Sequence, residues 1–382
     1  MNGRKLHHDA RLFSGSMRGV TLIELMVGLV IGLIATLIVT QVLAIAESQK
    51  RSATSGSDAQ VNGALALYAL QRELQVAGYG LATKRDVLGC DTRARYSGAA
   101  RNRTLVPVTI TAGASGTPDT LSIMSSAKNS AALPTRVTQL HTKTDTEFMV
   151  ESTVGLSVGD VLIAVPDSID ASNWCTMVNV TGIATDASGH HVSHAAGTNG
   201  PWNLAPTASI FPTTGYAVNS YLINAGRIIQ RQYTVNTGTR MLQEAVSDTQ
   251  TGAVMSSQAD LYPEIVDLQA MYGKDTNKDG VVDKYDKVTP ANASAWAEVL
   301  TVRVAVLARS SQYEKDLVTL SQPLWDVGSE ETNIDVPDAL TCGASRCITM
   351  NVGTDPNDEA WKHYRYKAYE AVVPLRNVLW SQ

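Results

Sequence analysis

Apolar residues are concentrated in one run close to the N-terminus of the chain. From Val20 to Ala46 the only strongly polar side chains are Glu24 and Gln41. At a rise of about 1.5 Å per residue, a helix of this length can span a hydrocarbon core about 30 Å thick. The pattern therefore predicts a membrane-spanning helix over residues 20–46, with a glutamate inside the apolar run.

The helical pattern continues beyond this run, but with one apolar and one polar face. Apolar residues recur at spacings of three and four, as expected for a single stripe along a helix: Leu67, Leu70, Leu74, Ala77 and Leu81. Gly78 and Gly80 are typical of a helix end. We therefore predict an amphipathic second half of the helix over residues 47–81, with its stripe packed against the rest of the chain.

After about residue 85 the apolar residues alternate with polar ones, and turn residues separate the runs, which is typical of β-strands. The predicted strands are Leu105–Thr111, Thr120–Met124, Glu147–Ser152, Val161–Val165, Cys175–Val180, Ala217–Ile223, Arg227–Thr234, Val299–Leu307 and Tyr364–Val373. Residues 186–215 are rich in Gly, Ser, His, Pro and Asn, and they are predicted to form a long surface loop.

A long helix followed by many strands predicts an α+β fold. In this fold the helix packs on a β-rich head of residues 85–382, built as one domain or as two β subdomains. The chain has 382 residues, which is enough for a head of this size to have its own hydrophobic core.

Charge is distributed unevenly between the N-terminus and the rest of the chain. Residues 1–19 contain four basic residues and one aspartate, whereas the whole chain has a formal net charge of −5. The positive-inside rule places such a basic segment on the cytoplasmic side and the remainder outside the cytoplasm. The acidic remainder has no general electrostatic attraction to nucleic acid, so we expect no nucleic-acid partner.

The chain has four cysteines, and an even number in an exported protein indicates two disulfides. The short spacing favours a Cys342–Cys347 bridge, which leaves Cys90 and Cys175 as the second pair. Four cysteines allow three pairings, however, and free buried thiols are the alternative. No two of the cysteines form a C-x-x-C pair, so the sequence disfavours a zinc site or a thioredoxin-like function.

Three interpretations of the N-terminus compete. The apolar run can be a signal anchor, or a cleaved secretory signal with Ala44-Ile45-Ala46 as its cleavage motif, although it is longer than such signals usually are. The third interpretation accounts for more residues, because a basic leader ends at Gly19 and the residues Val20-Thr21-Leu22-Ile23-Glu24 follow directly. This pattern resembles the type IV prepilin signal, in which a prepilin peptidase removes the leader and the apolar helix is kept.

The resemblance implies a role for the residues of this signal. The leader, residues 1–19, is cut off between Gly19 and Val20, and Val20 becomes the N-methylated first residue. The segment 20–46 serves as a transmembrane helix and then as a filament-core helix. Glu24 pairs with the N-terminal amine of a neighbouring subunit, so that two charges that are each costly in lipid partly neutralise each other. The alternative is that Glu24 reaches the lipid headgroups.

Further residues of this helix belong to the predicted assembly site. Thr21 is part of the prepilin motif, and Gly28 and Gly32 form a GxxxG pair that lets helices approach closely in lipid. The alternative is that glycine is common in membrane helices. Val20 replaces the phenylalanine usual at the first mature position. Major pilins usually carry a proline in the apolar helix, whereas the first proline here is Pro107, which indicates a minor subunit.

Three segments of the C-terminal half narrow the resemblance. Each is an ordinary amphipathic segment, but their order behind a prepilin signal resembles the PilW minor pilins of type IV pili: residues 265–273, 302–310 and 373–377. The resemblance implies a structural, non-enzymatic minor pilin of a priming or tip complex, which supports pilus assembly, twitching motility and adhesion. The implied partners are other minor and major pilins, the prepilin peptidase, the inner-membrane assembly platform and a pilus-tip adhesin. The implied location is the inner membrane, with the head in the periplasm, and then the pilus at the cell surface.

Two other functions fit part of the sequence. A pseudopilin of a type II secretion system would share the N-terminal signal, but the large head and the PLRN sequence at residues 374–377 argue against it. A membrane-anchored, calcium-dependent hydrolase or carbohydrate-binding protein would act through the head alone. The chain contains no HExxH, P-loop or GxGxxG motif, so none of the enzyme classes with these motifs is indicated.

An acidic segment, residues 275–286 with the sequence DTNKDGVVDKYD, has the ligand spacing of an EF-hand loop. The predicted calcium ligands are the side chains of Asp275, Asn277, Asp279, Asp283 and Asp286 and the carbonyl of Val281. Gly280 occupies the position at which such a loop turns. Calcium is the one expected cofactor, as a staple of the loop. A solvated acidic turn is the alternative, because four lysines offset much of the charge.

Three histidines, His190, His191 and His194, form an HHxxH cluster within the predicted loop. Histidines this close can share a metal ion on a strand or turn. A Gly/Ser-rich loop gives them little preorganisation, and no acidic residue is adjacent in the cluster. We therefore interpret them as part of a surface loop.

Overall fold

The structure is a computed structural model that describes residues 19–84, 87–114, 117–128, 133–197, 200–204, 210–329, 333–336, 339–352 and 359–379. The helices in these ranges are α1 Leu22–Val76, α2 Ala293–Trp296 and α3 Arg376–Leu379. Two short 3₁₀ turns are Thr249–Thr251 and Ala360–His363. The chain divides into two units, Met1–Thr54 and Ser55–Gln382.

The strands of the described residues all lie in the second unit. In chain order they are β1 Asp91–Arg93, β2 Arg95–Tyr96, β3 Ala99–Ala100, β4 Arg103–Thr104, β5 Val108–Thr111, β6 Thr120–Ser126, β7 Thr135–Arg136, β8 Glu147–Val150, β9 Val161–Val165, β10 Cys175–Asn179, β11 Gly182–Asp186, β12 Gly189–Ser193, β13 Tyr221–Gly226, β14 Ile228–Asn236, β15 Met241–Asp248, β16 Ala259–Pro263, β17 Ile265–Lys274, β18 Lys284–Asp286, β19 Val299–Arg309, β20 Leu324–Ser329, β21 Asn333–Asp335, β22 Ala339–Cys342, β23 Ser345–Thr349 and β24 Tyr366–Pro374.

These strands form sheets that are mostly antiparallel. One sheet has the strand order β4-β1-β10-β9-β13-β7, in which β1 and β10 are parallel. Two more sheets follow the orders β11-β12-β8 and β16-β15-β14-β6-β5. The C-terminal half contributes the sheets β21-β18-β17-β19-β24 and β20-β23-β22, and β2 and β3 form a short ribbon. A helix followed by a strand-rich body confirms the predicted α+β, pilin-like fold.

The amphipathic part of α1 packs on the sheets through the predicted stripe. Leu70, Leu74 and Ala77 are completely buried, in one core with apolar residues of β5, β6, β17, β19 and β24. Burying one leucine in this way stabilises a fold by about 1.5–3 kcal/mol. Leu81 is also buried, in a second core beside β9 and β10. The stripe was therefore predicted correctly, although the helix ends at Val76 and the chain turns at Gly78 with a φ of 74°.

The structure differs from the predicted strands in two ways. The strand expected over Leu105–Thr111 is shorter, because β5 begins only at Val108, after Pro107. Proline cannot donate a hydrogen bond to a sheet, which explains the late start. Several strands were missed, among them β15 and the short strands of the sheet β20-β23-β22.

The prediction of a surface loop over residues 186–215 was wrong for residues 189–193, and residues 198–199 and 205–209 of this segment lie outside the described residues. The strand β12 lies inside this segment and pairs with both β8 and β11. Trp202 is buried, and its indole N–H donates a hydrogen bond to the carbonyl of Thr249 at 2.9 Å. Asn203 is also buried and forms hydrogen bonds with the backbone of Asn179. Long-range packing thus orders a segment whose composition is typical of loops.

Candidate functional site

The start of α1 is fixed by a side-chain cap. The backbone N–H of Glu24 donates to Thr21 Oγ1 at 3.3 Å, and the backbone N–H of Leu25 donates to the carbonyl of Thr21 at 3.1 Å. Thr21 therefore acts as the N-cap, and Glu24 falls at the third helical position, as in a capping box. This geometry gives Thr21 a role in holding the helix start and places the Glu24 carboxylate in the first turn.

The first part of α1 exposes a continuous apolar surface. The span Leu22–Glu47 has a mean hydropathy of 2.7 and buries none of its residues. By length and composition it is the one helix in the described residues that could cross a membrane. An apolar surface of this size has to be covered by lipid or by other protein surfaces.

The two glycines of the GxxxG pair face open space. A Cβ atom added at Gly28 or at Gly32 would meet no other atom within 4 Å. Glycine costs roughly 0.5–1 kcal/mol relative to alanine within a helix. No contact within the described residues therefore requires a glycine at either position.

The predicted cleavage site lies at the edge of the described residues. Gly19 and Val20 lie just before Thr21, the N-cap of α1, and both are exposed. Residues 1–18 of the predicted leader lie outside the described residues.

The second half of α1 is held on the head by two close contacts. A Cβ atom at Gly63 would overlap the ring of Tyr369 on β24 and lie 2.9 Å from the Cβ atom of Ala308. At the other end, Asn377 Nδ2 donates to the carbonyl of Ala77 at 3.0 Å. That carbonyl has no partner inside the helix, so Asn377 caps the end of α1. The PLRN ending thereby acquires a structural role.

Both predicted disulfides are present in the structure. Cys90 and Cys175 join the start of β1 to β10, with Cα atoms 6.0 Å apart. Cys342 and Cys347 join the facing strands β22 and β23, with Cα atoms 5.9 Å apart. The Cys90–Cys175 bridge closes a long loop of the chain. A disulfide restricts the unfolded state more when the loop that it closes is longer.

The acidic loop is ordered by its own backbone. The carboxylate of Asp275 accepts hydrogen bonds from the backbone N–H groups of Asp279 and Gly280, at 3.1 and 2.8 Å. Asp279 accepts from the N–H of Val281, and Asp283 accepts from the N–H of Thr276. Gly280 has a φ of 88°, in the left-handed region that glycine adopts readily. These bonds shape the predicted turn of the loop.

The predicted ligand set fits calcium only in part. Lys274 Nζ lies 2.7 and 2.8 Å from the two carboxylate oxygens of Asp286, so this carboxylate already has a cation partner. Among the His, Cys, Asp and Glu side chains of the described residues, the one group of three whose ligand atoms lie within 4.8 Å of one another contains Asp326, Cys342 and Cys347. Those cysteines are bonded to each other, and the carboxylates of the acidic loop do not converge. Calcium at this loop stays a prediction.

The structure corrects our interpretation of the histidine cluster. His190 and His191 lie on β12 and not on a surface loop. His191 Nε2 is 3.2 Å from the carboxylate of Asp186, and His191 Nδ1 is 3.4 Å from that of Glu147. The hydrogen bond to Asp186 raises the pKa of His191 above its ordinary value. Acidic partners are therefore adjacent in space, although the sequence separates them.

His194 belongs to a buried pair that sequence reasoning missed. Its Nε2 atom lies 2.8 Å from Nε2 of His141, whose ring stacks on Phe148 with centroids 3.8 Å apart. Burial lowers the pKa of His141 to about 4 and that of His194 to about 3. One imidazole donates and the other accepts in this hydrogen bond, and the lowered pKa values favour the neutral form of both rings at pH 7. The pair is part of a core and not an exposed metal site.

An exposed apolar N-terminal helix that continues into a strand-rich body defines a pilin-like protein. Residues 232–377 match the PilW family model, which is described as type IV pilus-assembly protein W. The match covers β14 to β24, and it confirms the resemblance to the PilW family over this C-terminal part of the chain. This domain match supports involvement of the chain in type IV pilus assembly. No curated protein and no solved structure matches the chain.

Proposed function

We propose that this protein is a minor pilin that takes part in type IV pilus assembly as a member of the priming or tip complex. It is made with a leader, held in the inner membrane by α1 with its head in the periplasm, and cut between Gly19 and Val20. After N-methylation of Val20 it is built into the pilus, where it supports twitching motility and adhesion. Its partners are other minor and major pilins, the prepilin peptidase, the assembly platform and a tip adhesin.

One observation carries this proposal: an exposed apolar helix with a capped glutamate in its first turn occurs in the same chain as a PilW domain. A helix that only anchored the protein in the membrane would not need a carboxylate in its first turn. A charged side chain within the bilayer costs a few kcal/mol, so it is retained where it has a partner.

The partner in this proposal is the N-terminal amine of a neighbouring subunit. Processing after Gly19 would create that amine on Val20, so that Glu24 would be the fifth residue of the mature chain. A carboxylate and an ammonium group that meet in a medium of low dielectric attract each other strongly, which offsets part of their desolvation. Gly28 and Gly32 would let the neighbouring helix approach closely.

Substitution of Glu24 tests the proposal. We expect Glu24→Ala to abolish surface pili while leaving the protein processed after Gly19, because the change removes only the intersubunit pairing. Gln41→Ala is the matched control, since Gln41 is the other strongly polar residue of the same apolar run, and it should leave pilus number unchanged.

The same strains separate the pilin from a secretion pseudopilin. Deletion of the protein should remove pili and leave type II secretion of exoproteins intact. Loss of secretion with normal pili would contradict the proposal, and so would normal piliation in the Glu24→Ala strain.

A further inference from the structure

A cavity of about 530 Å³ opens on the PilW domain. It lies between the turn that joins β14 to β15, the ends of β17 and β19, and the segment that leads into β24. All of its lining except Thr117 and Pro118 falls within the residues that match the family model. Its size is in the range of pockets that hold a small molecule or a short stretch of a partner chain.

The cavity carries an excess of positive charge. Arg309 Nη2 lies 2.8 Å from Glu264 Oε2, and Arg240 Nε lies 3.4 Å from the same oxygen. Two guanidinium groups thus share one carboxylate, and Arg240 Nε has no hydrogen-bond partner in the described part of the chain. No acidic side chain is among the described residues that line the cavity.

Two residues of this ion-pair cluster, Arg240 and Glu264, have an unusual backbone conformation. Arg240 has a φ of 57° and Glu264 a φ of 58°, values that side-chain-bearing residues rarely adopt. The carbonyl of Arg240 accepts from the N–H of Ile265, and the carbonyl of Glu264 accepts from the N–H of Arg309. A β-bulge between Ile265 and Asp267 turns Val266 into the lining. Strained residues and bulges that occur together are typical of binding sites.

Aromatic rings complete the lining. Trp361, Tyr364 and Tyr366 face the cavity, and the guanidinium of Arg309 lies 3.9 Å from the centroid of the Tyr364 ring. Arg309 Nε and Nη2 both contact Glu264 Oε2, at 2.9 and 2.8 Å. A guanidinium has five N–H donors, so those of Nη1 are the ones that Arg309 can offer to a further carboxylate. The rings beside it offer apolar area for the group next to that carboxylate.

We propose that this cavity binds an acidic peptide segment of a partner pilus subunit, with one carboxylate of the segment between Arg240 and Arg309 and an adjacent aromatic side chain against Trp361. The charge of the cavity favours an anionic occupant, and the aromatic lining favours an apolar neighbour of that anion. The identity of the partner as a pilus subunit rests on the proposed function, whereas the binding chemistry does not.

The test uses the full-length protein in detergent micelles, labelled with ¹⁵N at tryptophan. The indole signal of Trp361 is assigned from a Trp361→Phe variant. The probe is the blocked dipeptide acetyl-Asp-Tyr-amide, and the control is acetyl-Asn-Tyr-amide, which has the same shape without the charge. We expect saturable shifts of the Trp361 signal with the aspartyl peptide and affinity weaker by about tenfold for the asparaginyl peptide, as for loss of one charge-assisted pair.

Substitutions locate the binding. Arg240→Gln should weaken the affinity for the aspartyl peptide by about tenfold and leave the melting temperature unchanged, because this side chain is 40% exposed. Arg136→Gln is the control, since Arg136 also lies beside a tyrosine ring, that of Tyr221, but outside the cavity. It should leave the affinity unchanged.

Three results would overturn the inference. They are equal binding of the two peptides, unchanged affinity in Arg240→Gln, and a shift with glucuronate but not with the aspartyl peptide, which would assign the cavity to an acidic sugar. None of these results depends on piliation, so the inference can fail while the Glu24→Ala experiment still supports the minor pilin. Conversely, peptide binding in a protein that forms no pili would leave the binding site standing and remove the pilus subunit as the partner.

Discussion

Acidification is expected to destabilise the head through the buried pair of His141 and His194. Folding lowers the pKa of both imidazoles below the ordinary value of 6.5, to about 4 and about 3. Below pH 6.5 the unfolded chain therefore binds protons that the folded chain does not. The stability that the neutral pair contributes is fully present above this pH and is lost as the pH falls toward 4. Protonation in the fold is costly because Nδ1 of His141 is buried without a hydrogen-bond partner in the described residues.

The size of the effect follows from the two pKa values. Between about pH 7.5 and about pH 5, a histidine whose pKa falls from 6.5 to about 4 on folding loses about 2 kcal/mol of stability. Two such histidines lose about 4 kcal/mol, which is a large part of the 5–15 kcal/mol by which domains are usually stable. Because the two rings share one hydrogen bond, their titrations are coupled, and we expect the pair to lose between about 2 and about 4 kcal/mol of stability.

The buried carboxyl of Asp267 has the opposite effect on stability when the pH falls. The effect of the histidine pair is therefore measured as the difference between the wild type and a variant that lacks the pair. Burial raises the pKa of Asp267 to about 7, and this carboxyl stabilises the fold as the pH falls. We would follow urea unfolding of the full-length protein in micelles by tryptophan fluorescence at both pH values. The double variant His141→Phe/His194→Leu retains the Asp267 effect and loses that of the pair. The wild type should therefore lose about 2–4 kcal/mol more than the double variant on acidification.

The control variant is His190→Gln, which changes a histidine on β12 that binds Thr185 Oγ1 at 2.8 Å outside the core. It should keep the acid sensitivity of the wild type. If the wild type and the double variant lose the same free energy between the two pH values, the pair is not held neutral by burial. This result would refute the explanation that burial lowers the pKa values of His141 and His194.

Three further predictions concern packing, a buried carboxyl and calcium. Gly63→Ala should lower the free energy of unfolding by about 1–3 kcal/mol, because the added Cβ atom would overlap Tyr369. The control Gly56→Ala, at an open helical position, should leave the free energy of unfolding unchanged or raise it by up to about 1 kcal/mol. Asp267→Asn should stabilise the protein at about pH 8 and have a smaller effect near pH 5, as measured by urea unfolding, and an equal effect at both pH values would contradict the raised pKa. Millimolar calcium should raise the melting temperature of the wild type but not of Asp279→Asn, and no shift in the wild type would end the prediction of a calcium site.

Much of the fold could be predicted because its signals are local. The stripe of Leu70 and Leu74 shows the helical period within a few residues, and the run Val161–Val165 is a strand in the structure with the predicted bounds. The short spacing favoured the Cys342–Cys347 bridge and left Cys90 and Cys175 as the second pair, and both bridges are present. The helix end was also signalled locally, since Gly78 adopts the positive φ that ends α1.

The parts that could not be predicted depend on contacts between distant residues. His141 and His194 are separated by 53 positions, and no periodic signal in the sequence relates them. The β12 strand is short and polar, and it forms because β8 and β11 pair on either side of it. The sequence also did not reveal that Lys274 would neutralise Asp286, because alternation along β17 does not show which lysine meets which carboxylate.

The cavity between Arg240 and Arg309 was missed for the same reason. Its two arginines lie on different strand ends, and Glu264 joins them from a third position with an unusual φ. A glutamate or an arginine with a positive φ leaves no recognisable mark in a sequence. By contrast, the prepilin-like signal could be read from the sequence, because Gly19, Thr21 and Glu24 lie together in a short motif whose spacing is itself the signal.

The mass of the N-terminal peptide of the mature protein, isolated from its host membranes, tests the central claim most directly. The account predicts a peptide that begins at Val20 and carries one methyl group on its amine. A peptide that begins at Glu47 would show an ordinary secreted protein, and an intact Met1 would show a signal anchor. Either of these results would contradict assembly of this chain into a type IV pilus through Glu24.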